Sequence, residues 1–197
     1  MPESVSLLKQ KLRAEILNRR NALSVLERQH KSAAIISRLC GISQIADAHT
    51  LFIYVSYKSE VATHAAIERF LAEGKTIAVP HTDRERCRII PVRINSLSEL
   101  VPGPRGILQP PADPSCIVPA HLIDAVITPG IAFTLSGIRL GYGGGLYDRF
   151  FRKHQLPSFA LAFELQIIDA LPFVPGYDMR VDVIVTEDRL ISCRDYR

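Results

Sequence analysis

The sequence predicts an α/β protein: an open, mostly parallel sheet of about five to seven strands with helices on both faces, preceded by a pair of N-terminal helices. Two observations predict the sheet. Short β-favouring runs alternate with helical segments along most of the chain, and those runs are continuously apolar rather than alternating, as in strands covered on both sides. A third, helical periodicity through residues 1–40, predicts the N-terminal pair.

Val5, Leu8, Leu12 and Ile16 recur at three- or four-residue spacing, so the first helix is expected to run to about Asn21, with Lys9 and Arg13 four apart on one face. Ser24 followed by Glu27 is a capping-box pair that opens a second helix through Leu26, Ala33, Ile36 and Leu39, ended by Gly41. Residues 50–57 read as a strand, 62–73 as a helix broken by Gly74, and 76–79 as the next strand, which makes a βαβ unit. Residues 89–94 form another strand, which Pro91 confines to an edge or a bulge.

Six prolines between Leu100 and Pro119 mark a long loop. A strand at 123–128 follows, turned by Pro129-Gly130, then a helix from Leu146 to His154, strands at 159–163 and 181–186, and a short helix near 166–170. There are no internal repeats, and 197 residues with 47% hydrophobic content suit a single domain, 1–197.

The richest chemistry lies at 137–149, where Gly141, Gly143, Gly144 and Gly145 stand between Arg139 and Arg149, with Asp148 in the first turn of the following helix. Glycines let successive N–H groups turn toward an anion, and a helix N-terminus adds its positive end. Forked arginine charge matches phosphoryl oxygens, and Asp148 could hold hydrated magnesium. The spacing is neither the dinucleotide fingerprint nor a Walker loop, so a plain glycine hinge also fits the composition.

Charge adds a second clue. Residues 1–40 hold eight Lys or Arg against three acids, whereas the other 157 hold 16 against 17, so the whole positive excess sits in the first two helices and suggests an anionic partner there. Lys9 and Arg13 read alone are equally a solvated basic face. Cys40, Cys87, Cys116 and Cys193 are scattered, and the six histidines lack ligand spacing, which argues against zinc and against a disulfide framework. No apolar run approaches the roughly 18–20 residues of a membrane span, and the start of the chain lacks a signal peptide's apolar centre, so a cytoplasmic protein is expected.

Four blocks in order resemble the 5-formyltetrahydrofolate cyclo-ligase family, in its bacterial form. They are Lys9-Gln10-Lys11-Leu12-Arg13; Ser56-Tyr57-Lys58-Ser59-Glu60-Val61; Pro129-Gly130-Ile131-Ala132-Phe133 with Arg139-Leu140-Gly141-Tyr142-Gly143-Gly144-Gly145; and Tyr177-Asp178-Met179-Arg180-Val181-Asp182. The resemblance implies a Rossmann-like fold of the phosphosugar isomerase and CoA transferase kind. It also implies an ATP-dependent closure of 5-formyltetrahydrofolate to 5,10-methenyltetrahydrofolate with release of ADP and phosphate.

By the same resemblance Lys9, Gln10, Lys11, Leu12 and Arg13 with Arg139, Leu140, Gly141, Tyr142, Gly143, Gly144, Gly145, Leu146 and Tyr147 would bind ATP, with Arg139 catalytic. Val55, Glu60 and Tyr142 would contact folate, and Asp148 and Asp178 would hold Mg2+. The implied partners are ATP and the folate, with one glutamate or several, without nucleic acid or membrane, and the implied state is a monomer. Two departures stand out: Tyr142 and Gly144 replace the Arg and Lys of some members, and Leu146 replaces a usual tyrosine. Rival readings are a phosphosugar isomerase or CoA transferase-like enzyme, which would need no ATP, and a non-catalytic nucleotide- or RNA-binding module using the basic helices.

Overall fold

The computed structural model describes residues 3–196. In chain order the elements are α1 Glu3–Ala22, α2 Val25–Cys40, α3 Ser43–Ala46, β1 Thr50–Ile53, α4 His64–Ala72, β2 Thr76–Asp83, β3 Arg88–Ile94, β4 Val101–Pro102, β5 Leu108–Gln109, β6 Ala125–Thr128, β7 Ala132–Phe133, β8 Arg139–Leu140, α5 Leu146–Lys153, β9 Ser158–Leu161, β10 Val183–Val185 and β11 Leu190–Ser192. Seven strands form the main sheet in the order β11-β10-β9-β6-β1-β2-β3. The inner five run parallel, while β3 and β11 close the two edges antiparallel.

The expected architecture is present, and its core follows from strand alternation. Leu51, Ile53, Ile77, Val79, Ala125 and Ile127 point to one face, where Ile35 and Leu39 of α2 and Ala66, Ile67 and Phe70 of α4 cover them. Phe52, Ala78 and Val126 point to the other, beneath Phe150 and Phe151 of α5. The capping box at Ser24 and Glu27 starts α2 as predicted, and Pro91 does sit on the edge strand β3.

Several expectations are corrected. The strand placed at 50–57 ends at Ile53, because residues 54–63 fold into a closed lip: Thr63 donates to the Tyr54 carbonyl, and Ser56 and Thr63 exchange backbone-to-hydroxyl bonds. The helix placed near 166–170 is one 3-10 turn, Glu164–Gln166; beyond it the backbone is extended and Ile168 N–H bonds to Phe133 O. The loop 100–119 carries 3-10 turns and the β4–β5 ladder. The glycine loop hangs not from a sheet strand but from the β7–β8 ladder, inserted after β6.

The inner face of α1 also differs. Leu7 and Leu8 are exposed, whereas Lys9, Ile16 and Arg20 are buried. Ile16 packs with Ile131, Ala132, Leu140 and Leu171, so α1 lies over the β7–β8 ladder rather than on the main sheet. Its inward stripe is consequently part polar.

Gly130 is fixed by packing. A Cβ there would stand 2.3 Å from the ring of Phe133, which is fully buried and cannot swing away. Gly130→Ala is expected to lose about 1–3 kcal/mol by overpacking, read as a lower urea midpoint at unchanged slope.

Candidate active site

Strand order reverses between β1 and β6: β1 continues to β2 on one side, and β6 to β9 and β10 on the other. Open α/β sheets form their ligand crevice at such a point, outside the strands' carboxyl ends. Here the lip after β1 carries Glu60, and Gly130 follows β6. Arg20, 2% exposed, bridges the two: Nε donates to Ser59 Oγ at 3.0 Å, Nη1 to Gly130 O at 3.3 Å and Nη2 to the Tyr142 hydroxyl at 2.8 Å.

Because arginine only donates, Tyr142 accepts from Arg20 and its own hydroxyl donates to Glu60 Oε1, at 2.6 Å. Glu60 Oε2 accepts the Tyr57 N–H at 2.9 Å. A directed chain thus runs from guanidinium through phenol to carboxylate. Burial pushes the Glu60 carboxyl upward, opposed by the Tyr142 and Tyr57 bonds and the Arg20 charge. Burial and the neighbouring Glu60 charge also push the Tyr142 phenol upward, so it stays protonated.

The glycine loop forms the next wall. Gly143 and Gly145 have φ of 99° and 61°, and Gly145 caps α5 in the left-handed region that favours glycine. Arg13 Nε donates to Gly141 O at 2.8 Å, and its guanidinium lies under Gly143. Arg149 ties Gly144 O to Cys87 O of the β2–β3 hairpin, each at 2.7 Å. Gly143 and Gly144 themselves are exposed.

Behind the loop, Arg139 Nη2 meets Asp148 Oδ1 at 2.8 Å, and the guanidinium lies 5.6 Å from the centre of the Tyr147 ring. Among the described residues, Arg139 Nε and the Tyr147 hydroxyl are buried without a hydrogen bond. Asp148 Oδ1 also accepts the Met179 N–H at 3.3 Å, which brings it beside Asp178, whose Oδ2 binds Lys9 Nζ at 2.5 Å and Val174 N–H at 2.8 Å.

The sequence profile of the 5-formyltetrahydrofolate cyclo-ligase family matches residues 5–187. The chain belongs to that family. A 5-formyltetrahydrofolate cyclo-ligase from Mus musculus is 30% identical over 94% of this chain and 96% of its own, and one from Escherichia coli K12 is 28% identical over 89% and 98%. A solved 5,10-methenyltetrahydrofolate synthetase from Aquifex aeolicus superposes with TM-score 0.84 at 32% identity, covering 96% of this chain and 95% of that one. A synthetase of the same name from Mycoplasma pneumoniae shares the fold, with TM-score 0.72 at 23% identity over 91% and 98% of the two chains.

Of the residues that likeness to the cyclo-ligase family singles out, Lys9, Arg13, Arg139, Gly141, Tyr142, Gly143, Gly144, Gly145, Tyr147, Asp148 and Asp178 surround one cradle, and Glu60 joins it through Tyr142. Gln10 and Lys11 are exposed on α1, off the stripe that carries Lys9 and Arg13. The side chains of Leu140 and Val55 are core residues, and Leu12 and Leu146 pack at the edges of apolar clusters. These four offer backbone or support rather than side-chain chemistry.

Sequence reasoning missed Arg20 as a site residue, along with Gln166, whose Nε2 donates to the Gly130 and Ile131 carbonyls at 2.9 Å each. A signal existed for Arg20: Lys9, Arg13, Ile16 and Arg20 follow one helical stripe, visible if charges are read with the period usually reserved for apolar residues.

The raised Glu60 carboxyl has a consequence for stability. Folded Glu60 keeps its proton to higher pH than in the unfolded chain, so its contribution is full below the unfolded value, ~4.3, and is lost as pH rises through the folded one. Glu60→Gln should therefore melt higher than wild type at mildly alkaline pH. That advantage should shrink toward pH ~4. Melting curves across pH check it; a variant less stable at alkaline pH would contradict the cost assigned to the charge.

Proposed function

We propose that this protein catalyses the ATP-dependent closure of 5-formyltetrahydrofolate to 5,10-methenyltetrahydrofolate, releasing ADP and phosphate. Family membership carries the reading, and the cradle and crevice support it. A formamide oxygen is a poor leaving group. Its attack on the γ-phosphorus breaks the bond to ADP and makes that oxygen part of a phosphate. The neighbouring folate amine then bonds to the formyl carbon, phosphate departs with the oxygen, and the amine's proton passes to solvent.

The protein's work is mainly positioning and charge neutralisation. Backbone N–H groups of the glycine loop, with Lys9 and Arg13, bind the phosphates. Arg139 fixes positive charge where the phosphoryl group moves. The Glu60 carboxylate, held by Tyr142 and Tyr57, accepts from the pterin's amino and ring N–H groups.

Asp148 and Asp178 suit Mg2+. Among the described residues no group of three or more acidic, histidine or cysteine side chains could enclose a metal. A hard ion that keeps its waters and leans on nucleotide oxygens needs only one or two carboxylates, and Asp148 Oδ2 and Asp178 Oδ1 carry no hydrogen bond among those residues. When bound, the ion would neutralise charge on the β and γ oxygens. In this reading the protein acts as a cytoplasmic monomer without nucleic acid. No helix among the described residues is long and apolar enough to cross a membrane.

The test is the rise of methenyl-folate absorbance when purified protein meets 5-formyltetrahydrofolate, Mg2+ and ATP. Absence of that rise, or an equal rise without nucleotide, overturns the reading.

A further inference from the structure

Tyr142 belongs to two parts of the molecule at once. Its backbone lies in the glycine loop, between Gly141 and Gly143, whereas its hydroxyl reaches the lip after β1, accepting from Arg20 at 2.8 Å and donating to Glu60 Oε1 at 2.6 Å. Arg20 binds the same lip through Ser59 and the end of β6 through Gly130. The loop assigned to phosphate and the carboxylate assigned to the pterin are thus tied together by one phenol.

The segment that carries the phenol is deformable. Gly143 and Gly145 take φ of 99° and 61°, and glycines on both sides give the Tyr142 backbone more freedom than substituted neighbours would. Two anchors limit that freedom: Arg13 Nε at Gly141 O, 2.8 Å, and Arg149 Nη2 at Gly144 O, 2.7 Å. The hydroxyl of Tyr142 is a third. Arg13 and Arg20 stand seven positions apart on α1, about two turns, so one helix holds both the loop and the lip.

A phosphate that takes the N–H groups of the loop narrows its backbone freedom, so the phenol then loses less entropy by staying on Glu60. The carboxylate is held in one direction as a result. We infer that Tyr142 is a positioning residue through which nucleotide in the glycine loop sets Glu60 for the pterin, so that nucleotide and folate each bind more tightly in the presence of the other. The inference rests on the reading of Glu60 as the pterin anchor and of the loop as the phosphate site. By linkage the gain is the same in both directions.

Equilibrium binding of 5-formyltetrahydrofolate with and without the β,γ-imido analogue of ATP and Mg2+ tests it, on the wild type and on Tyr142→Phe. The analogue does not transfer its phosphoryl group, so the affinities are read without turnover. Tyr142 is 44% exposed and Arg20 keeps its bonds to Ser59 and Gly130, so the variant is expected to fold, which near-UV dichroism checks. In the wild type the analogue should tighten folate about tenfold, and folate should tighten the analogue by the same factor. In Tyr142→Phe both factors should fall within about twofold. A merely structural role would weaken each ligand alone and leave the factor between them unchanged. A wild type without the gain, or a gain that survives in the phenylalanine variant, overturns the inference. No folate binding under any condition would sink the cyclo-ligase reading and this inference with it; folate bound equally with and without the analogue sinks this inference alone.

Discussion

Arg139→Ala is expected to slow methenyl-folate formation by at least ~100-fold, with Asp148→Ala comparable, the loss typical of removing a fixed electrostatic contact to a transition state. The Arg139 side chain is 3% exposed, so its charge acts where water screens little. Asp148 holds one end of the fork at 2.8 Å, Pro129 O receives Nη1 at 3.4 Å, and Tyr147 lies against the guanidinium. These contacts hold the guanidinium in one orientation.

Among the described residues, Arg139 Nε and the Tyr147 hydroxyl are buried without a hydrogen-bond partner. The drop should fall on kcat more than on the KM for either substrate. Breaking one partner from a largely buried pair also destabilises, by about 3–5 kcal/mol, so folded content must be checked by near-UV dichroism. Arg139→Lys, which keeps the charge but not the fork, should recover stability better than rate. Near-normal turnover in both alanine variants would overturn the site.

Arg20→Met is the second large effect. Methionine matches the length of the buried stem but removes three donors, and stability should fall by about 2–4 kcal/mol as the Ser59, Gly130 and Tyr142 contacts are lost. The two lips of the crevice would then be joined only by weaker links. Tyr142, no longer forced to donate toward Glu60, should leave the carboxylate less well aimed, raising the KM for folate by at least ~10-fold while the KM for ATP moves less. Urea unfolding and a KM comparison check both parts. A stability loss with unchanged folate KM would make Arg20 scaffold alone.

Much of this was legible from residue order. The βαβ unit, the edge placement forced by Pro91, the capping box of α2 and the glycine loop all rest on local chemistry that a short window contains. What escaped was non-local. Strand β1 stops early because Thr63, ten residues beyond Ile53, supplies bonds that compete with pairing. The β7–β8 ladder is two residues per strand, too short to leave a period, and the 3-10 turn at Gln166 is set by carbonyls more than thirty residues away.

Lys9 and Arg13 were legible as a pair, but their partners, Asp178 and Gly141, lie 169 and 128 positions along the chain. The basic excess of α1 and α2 is largely matched inside the molecule as well. Lys31 pairs with Glu187, and Arg38 donates to the carbonyls of Thr186, Glu187 and Asp188. Composition counts charge without saying whom it faces.

The outer rim of β3 carries a further lesson. Val118 N–H reaches Pro91 O at 2.9 Å, and Val92 pairs with Ile117, so the end of the proline-rich segment seals the margin of the sheet. The opposite margin, β11, is only three residues long. An unguarded strand is a template on which a second molecule can stack, the first step toward fibres. The segment that looks like slack in the sequence is thus a hem, and trimming it would threaten solubility before it touched chemistry.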